Sequence, residues 1–227
     1  MGIIDISGKI NIGMWSYGDP FPEFDLQRVP TPEWLDYPIY SEIFSGMNSQ
    51  SGTYLETPAH LLGYEKSYPL DKVALENLVD IPTCVIQLDY GKLPRSDDRP
   101  VVTLEALSSS ATADDLAGAR AVCISTGWGR KWNDEDFVEA SPFIKYDAME
   151  WLVDRKPFLV CSDSPRWENL EHPEGFFPMF YQADILMLTP CVNLERIRRT
   201  RVTLTALPLP ILDTCCTPCR AFVREED

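Results

Sequence analysis

The chain has 227 residues, 44% hydrophobic and 24% charged, a balance that suits a globular α/β domain with a sizeable core. Its net charge of −15 argues against nucleic acid, which is bound through Lys and Arg on phosphates, and against an anionic membrane surface. No apolar stretch approaches the roughly 20 residues of a bilayer span, and MGIIDISGKINIG lacks the basic-then-apolar order of a signal peptide.

In chain order, residues 18–40 are crowded with Pro and aromatic residues and read as an ordered surface loop. TCVIQLD (83–89), ARAVCIST (119–126), PFLVCSD (157–163) and DILMLT (184–189) are short apolar runs rich in β-branched residues, the pattern of buried strands. Thr103 is placed to cap a short helix through LEAL, because its hydroxyl can accept an orphan amide. YDAMEWLVDRK (146–156) predicts a helix: Ala148, Met149, Leu152 and Val153 share one face, and Pro157 stops it. LTALPLPIL (204–212) predicts a strand whose two prolines confine it to an edge or a bulge. With no repeat and no break in composition, residues 1–227 read as one domain with a mixed sheet. Seven scattered cysteines, an odd number, point to reduced thiols and a cytoplasmic setting.

One stretch carries chemistry. Residues 50–60, QSGTYLETPAH, combine a Gly-Thr turn, a carboxylate, a Pro and a His. The pattern resembles His-x-Gly-Thr-His-x-Asp-x-Pro-x-His, the signature of the cyclase family, which includes bacterial kynurenine formamidase and isatin hydrolase. Gly52, Thr53, Pro58 and His60 match it. The resemblance extends along the chain through IIDISGKINIGMWSYGDP (3–20), CISTGWGRKW (123–132), AMEWLVDRKPFLVCSDSP (148–165), DILMLTPCVNL (184–194) and LTALPLPILDTCCTPCRAF (204–222). It implies a swivelling β/β/α fold, hydrolysis of an amide, formamide or lactone carbonyl, a bound zinc or manganese, and a homodimer or homotetramer. An aromatic loop containing Trp15, Tyr17, Phe21 and Phe24 would sit at the subunit interface.

The metal ligands that the resemblance implies are largely replaced. Gln50, Tyr54 and Glu56 stand where the family has His, His and Asp, and the later His and Glu fall on Phe177 and Thr189. Zinc favours His and Cys nitrogen and sulfur, and Phe offers no donor. No metal cofactor is therefore expected, although a shifted loop could bring His172 toward the site. His60 is the expected general acid–base with Glu56 beside it, and Gln50, Tyr54, Trp15 and Phe177 are the expected substrate-binding residues. Gln50, Tyr54, Glu56 and His60 should line one concave site, since alternate residues of an extended strand share a face. The expected partner is a small molecule. Two functions remain open: a hydrolase working through an altered mechanism, and a non-catalytic ligand-binding protein on the same scaffold.

Other signals admit two readings each. Cys216 and Cys219 have CxxC spacing, compatible with redox or metal chemistry but also with a structural loop that includes Cys215. Trp128, Trp132 and Trp167 suit core or pocket wall, and Arg196, Arg198, Arg199 and Arg201 suit a capped helix end in solvent. Asp163 and Ser164 either approach the cleft or cap the next segment.

Overall fold

The computed structural model describes residues 2–225. The strands are β1 (Gly2–Asp5), β2 (Asp25–Val29), β3 (Ser41–Ser45), β4 (Tyr54–Glu56), β5 (Ile81–Gln87), β6 (Arg95–Ser96), β7 (Arg99–Val102), β8 (Ala121–Ser125), β9 (Phe143–Ile144), β10 (Leu159–Ser162), β11 (Leu186–Thr189), β12 (Arg201–Pro208) and β13 (Cys216–Glu225). The α-helices are short: α1 (Ala59–Leu62), α2 (Leu104–Ser110), α3 (Ala113–Leu116), α4 (Tyr146–Val153) and α5 (Phe177–Gln182).

The main sheet runs β1-β13-β12-β5-β8-β10-β11-β4, and β4 also pairs with β13. That second pairing closes seven strands into a mixed barrel, with β1 as an extra strand on β13. The segment β5-β8-β10-β11 is parallel, and the remaining pairings are antiparallel. Parallel strands need both faces covered, which explains their uninterrupted apolar sequences. In β8, Ala121 and Cys123 point into the barrel, while Val122 and Ile124 pack outward among side chains of α2, α4 and α5. The alternation in β4 is the same: Leu55 fills the barrel and Tyr54 faces the helical side.

The predicted strands are all present, each slightly shorter or shifted, because backbone pairing ends before the apolar run does. Thr103 caps α2 by accepting from the Ala106 amide at 3.2 Å. Helix α4 stops at Val153, before the predicted end at residue 156. Lys156 already has a left-handed backbone (φ 52°), which brings the chain round to Pro157.

Two readings are corrected. Residues 18–40 are not all loop, because β2 lies within them and pairs with β3 to form a two-stranded arm. Strand β12 spans residues 201–208 rather than 204–212: residues 201–204 pair with β5 and residues 203–208 with β13, so the part from residue 205 onward is an edge, as its proline requires. Pro208 is tolerated because its end of the strand has β13 as its only strand neighbour among the described residues.

Asp163 caps rather than lines a cleft. It is fully buried and accepts from the Thr126 amide and hydroxyl and from the Gly127 amide at 2.7–3.1 Å. It thus ties the end of β10 to the turn after β8. Burial raises its pKa to about 6, against the opposing pull of these donors. Replacing Asp163 with Ala strands three donors in the interior. The expected loss is about 3 kcal/mol of unfolding free energy by urea titration. An unchanged urea midpoint would show that the anchor is dispensable.

Candidate active site

The Gly-Thr and Pro positions of the 50–60 motif serve the scaffold. Gly52 has φ +72°, and a Cβ there would lie 2.7 Å from the Ile10 side chain. The Thr53 hydroxyl donates to the Pro190 carbonyl at 2.6 Å and accepts from the Gly8 amide at 2.8 Å. Its carbonyl accepts from the Cys219 amide at 2.8 Å. Three chain segments thus meet on one threonine. Pro58 begins the α1 turn that carries His60.

Beside this frame lies a cavity of about 250 Å³. Gln50, Tyr54, Glu56 and His60 all line it. Tyr54 and Glu56 do so as alternate residues of β4, whereas Gln50 comes from the preceding turn and His60 from α1. The opposite wall is α5, through Phe177 and Tyr181, and the loop at 165–170, through Pro165, Arg166, Trp167, Glu168 and Leu170.

Glu56 is 0% exposed. Its Oε1 accepts a short hydrogen bond from the Tyr181 hydroxyl, while Oε2 has no hydrogen-bond partner of regular geometry among the described residues. Burial pushes its pKa up to about 8, although the Tyr181 hydroxyl and the Gln50 side chain pull the other way. At neutral pH the group is therefore mostly a carboxylic acid. His60 Nδ1 stands 3.6 Å from Oε2, and burial lowers the imidazole pKa, so His60 is a neutral base. On its other side the same Nδ1 faces Cys215 Sγ at 3.9 Å.

A tyrosine chain fixes the far side. Tyr17 donates to the Pro165 carbonyl at 2.8 Å. Its single proton being spent there, the 2.9 Å contact between Tyr17 and Tyr54 is a donation from Tyr54. Burial raises the pKa of Tyr17, Tyr54 and Tyr181, so all three stay protonated. Phe177 stacks on Tyr181 with ring centroids 5.6 Å apart and planes 12° from parallel.

The sequence profile of the Cyclase family, described as "Putative cyclase", matches residues 4–169. The chain is a member of the Cyclase family. Solved structures agree on the fold. An isatin hydrolase bound to the product analogue thioisatinate superposes with TM-score 0.79 at 18% identity, covering 99% of this chain and 92% of the other. Isatin hydrolase A from Ralstonia solanacearum gives 0.78 at 19%, with coverage of 99% and 92%. A potential metal-dependent hydrolase with cyclase activity gives 0.74 at 18%, covering 99% of both chains. Comparison with curated protein sequences gives no match.

The residues present do not fit the zinc or manganese implied for the Cyclase family. Phe177 has no donor atom. Thr189 is buried behind Trp167: its hydroxyl accepts from the indole at 3.1 Å and donates to the Ser164 carbonyl at 2.6 Å. Tyr54 directs its proton to Tyr17 and stays neutral. Gln50 offers only a weakly donating amide oxygen, which leaves Glu56 and His60 as the ligand types zinc favours, too few for a three- or four-ligand site. Among the described residues, no group of three His, Cys, Asp or Glu side chains could hold a metal ion.

Several expected residues lie elsewhere. Trp15 does not line the cavity. It packs edge-on against Trp132 and Tyr17 at 5.3 Å, behind the tyrosine it was expected to accompany. Trp15 and Tyr17 are thus half-buried, packed against the domain's own aromatic cluster. His172 is exposed and outside the cavity wall. Cys216 and Cys219 are free thiols on β13, and their odd separation sends Cys216 to the helical face and Cys219 into the barrel. Trp167 is pocket wall, and Trp128 and Trp132 are core. The sequence reading missed Tyr17 as a lining residue, and it missed Tyr181 and the 165–170 loop. Tyr181 stands one helical turn beyond Phe177, and that spacing was the available signal.

Glu56 predicts a pH signature. A carboxyl pKa raised in the folded state gives extra stability below the unfolded value, and that stability is lost as pH rises through the folded value. From about pH 5 to about pH 9, unfolding free energy should therefore fall in the native protein relative to Glu56→Gln. Parallel pH curves for the two proteins would contradict a protonated Glu56.

Proposed function

We propose that the cavity binds a flat aromatic carbonyl compound and hydrolyses an amide, formamide or lactone bond through Glu56 and His60, without the family's metal. The observation that carries this is the buried Oε2 of a neutral Glu56, without a hydrogen-bond partner of regular geometry among the described residues and 3.6 Å from a neutral imidazole. An acid proton and a vacant base sit side by side at the cavity wall. Protonated Glu56 would donate to the carbonyl oxygen of the ligand, and His60 would take a proton from the attacking water. The water oxygen bonds to the carbonyl carbon. The C–N or C–O bond then breaks, and His60 returns its proton to the leaving group. Trp167, Leu61, Met187 and the Phe177–Tyr181 stack supply the apolar wall for the ring.

Isatin, the compound named for two of the structural neighbours, is the first substrate to test. Elemental analysis should find zinc and manganese far below one per chain, and turnover should survive a chelator. His60→Ala should lower kcat/KM by about 100-fold or more. Turnover that tracks added zinc or manganese would overturn the metal-independent reading. The closure of two ligand positions by Phe177 and Thr189 favours a second reading, a non-catalytic binder. Isatin binding without hydrolysis would establish it.

We also propose self-association through the β2–β3 arm, in a cytoplasmic protein. Trp34 (79% exposed), Tyr40 (84%), Ile43 and Phe44 crowd its surface with apolar groups that the rest of the chain leaves uncovered. All seven cysteines are free thiols, and among the described residues no helix is long and apolar enough to cross a membrane. Light scattering at micromolar concentration should give a dimer or tetramer, and a Tyr40→Glu, Phe44→Glu variant a monomer. A monomeric native protein would contradict this assembly.

A further inference from the structure

Among the residues lining the cavity, Arg166 is the one Lys or Arg. Its backbone is held unusually firmly. Buried Arg99 donates from Nη2 to the Arg166 carbonyl and from Nη1 to the Glu168 carbonyl, both at 3.0 Å, and from Nε to the Ser141 carbonyl at 2.8 Å. Pro165 is pinned by Tyr17, and Trp167 by Ser164 and Thr189. One buried cation thus spends its hydrogen bonds on fixing the loop that carries a second, whose side chain stands between this cavity and a neighbouring one lined by Arg99, Glu139 and Glu171.

The Arg166 guanidinium is itself lightly engaged. Among the described residues its hydrogen-bonded partner is Glu139, which is 71% exposed and outside the cavity wall. Such an exposed pair exchanges readily with other carboxylates. The guanidinium charge also acts inward, since it lowers the pKa of the Tyr17 hydroxyl against the larger effect of burial. Glu168 is the cavity's other ionisable carboxyl group beside Glu56. Its Oε1 accepts from the Phe176 amide at 3.0 Å. Glu56, being protonated, adds no negative charge at neutral pH.

Resting on the carbonyl-compound reading above, we propose that the ligand carries a carboxylate, held by Arg166, in addition to the carbonyl that faces Glu56. The planar guanidinium fork matches a carboxylate in two parallel hydrogen bonds, which Lys would not provide. The ligand's carboxylate displaces Glu139 from the guanidinium, and the ring between its two polar ends lies against Trp167 and Phe177. The substrate class is thereby an aromatic acid bearing a second, hydrolysable carbonyl group.

Benzoate and benzamide, alike in shape and different in charge, test this by titration calorimetry on the whole protein. Benzoate should bind about tenfold tighter or better. Arg166→Gln should bring benzoate down to the level of benzamide, and Glu139→Gln, a rim change that leaves the loop anchors in place, should strengthen benzoate binding. Equal affinities in the native protein, no detectable benzoate binding, or a benzoate preference that survives Arg166→Gln overturns the proposal. The isatin assay uses an uncharged compound, so either reading can fail while the other stands.

Discussion

A carboxyl group buried away from water stays ionised only beside a compensating cation or several donors, and otherwise it keeps its proton. Among the described residues Glu56 has no such cation. It is the last residue of β4, a three-residue strand that pairs with β11 on one side and β13 on the other. Because β4 closes the barrel, Glu56 cannot move out to solvent without opening the sheet. The rest of the site follows from this. Tyr181 reaches over from α5 to donate to one oxygen, the surrounding tyrosines are neutral, and the imidazole nearby is neutral as well.

The same constraint accounts for the joint departure of the five positions that the sequence resemblance assigns to metal ligands. Phe177 puts an aromatic face where a donor would be and stacks on the tyrosine that serves Glu56. Thr189 hands its hydroxyl to Trp167 and Ser164, tying the pocket wall to β11. A second carboxylate at position 189 would have faced the Glu56 side of the sheet with no metal between them. Of the positions that the Cyclase family pattern shares with this chain, Gly52, Thr53 and Pro58 shape the backbone, and His60 alone lines the cavity.

Much of the fold was legible because burial on both faces leaves a plain mark. β5, β8, β10 and β11 are apolar at successive positions, since alternate residues fill the barrel and meet the helices: odd ones fill it in β5, β8 and β10, even ones in β11. Closure of the barrel was not legible. It depends on a three-residue strand finding two partners more than a hundred residues away, and nothing local to Tyr54–Glu56 announces that. The site was half legible. Gln50, Tyr54, Glu56 and His60 lie within one motif, so their meeting follows from short-range geometry. Tyr17, Tyr181 and Arg166 arrive from distant segments. Helix α5 has no side-chain N-cap and only six residues, so the turn that carries Tyr181 toward Glu56 has little local signal. Trp15 misled for a related reason: an aromatic loop beside a site looks like a pocket wall, but Trp132 and Phe137 draw its ring into their own cluster.

The protonation state of Glu56 is the hinge between a cavity that holds a proton for a ligand and one that awaits a cation. Carbon-13 labelling of glutamate side chains allows its carboxyl carbon to be followed by NMR, with the resonance identified by its loss in Glu56→Gln. The account predicts a titration midpoint near the raised pKa of about 8. A midpoint at or below the ordinary value of 4.5 would show an ionised, compensated carboxylate and would contradict the neutral site described above.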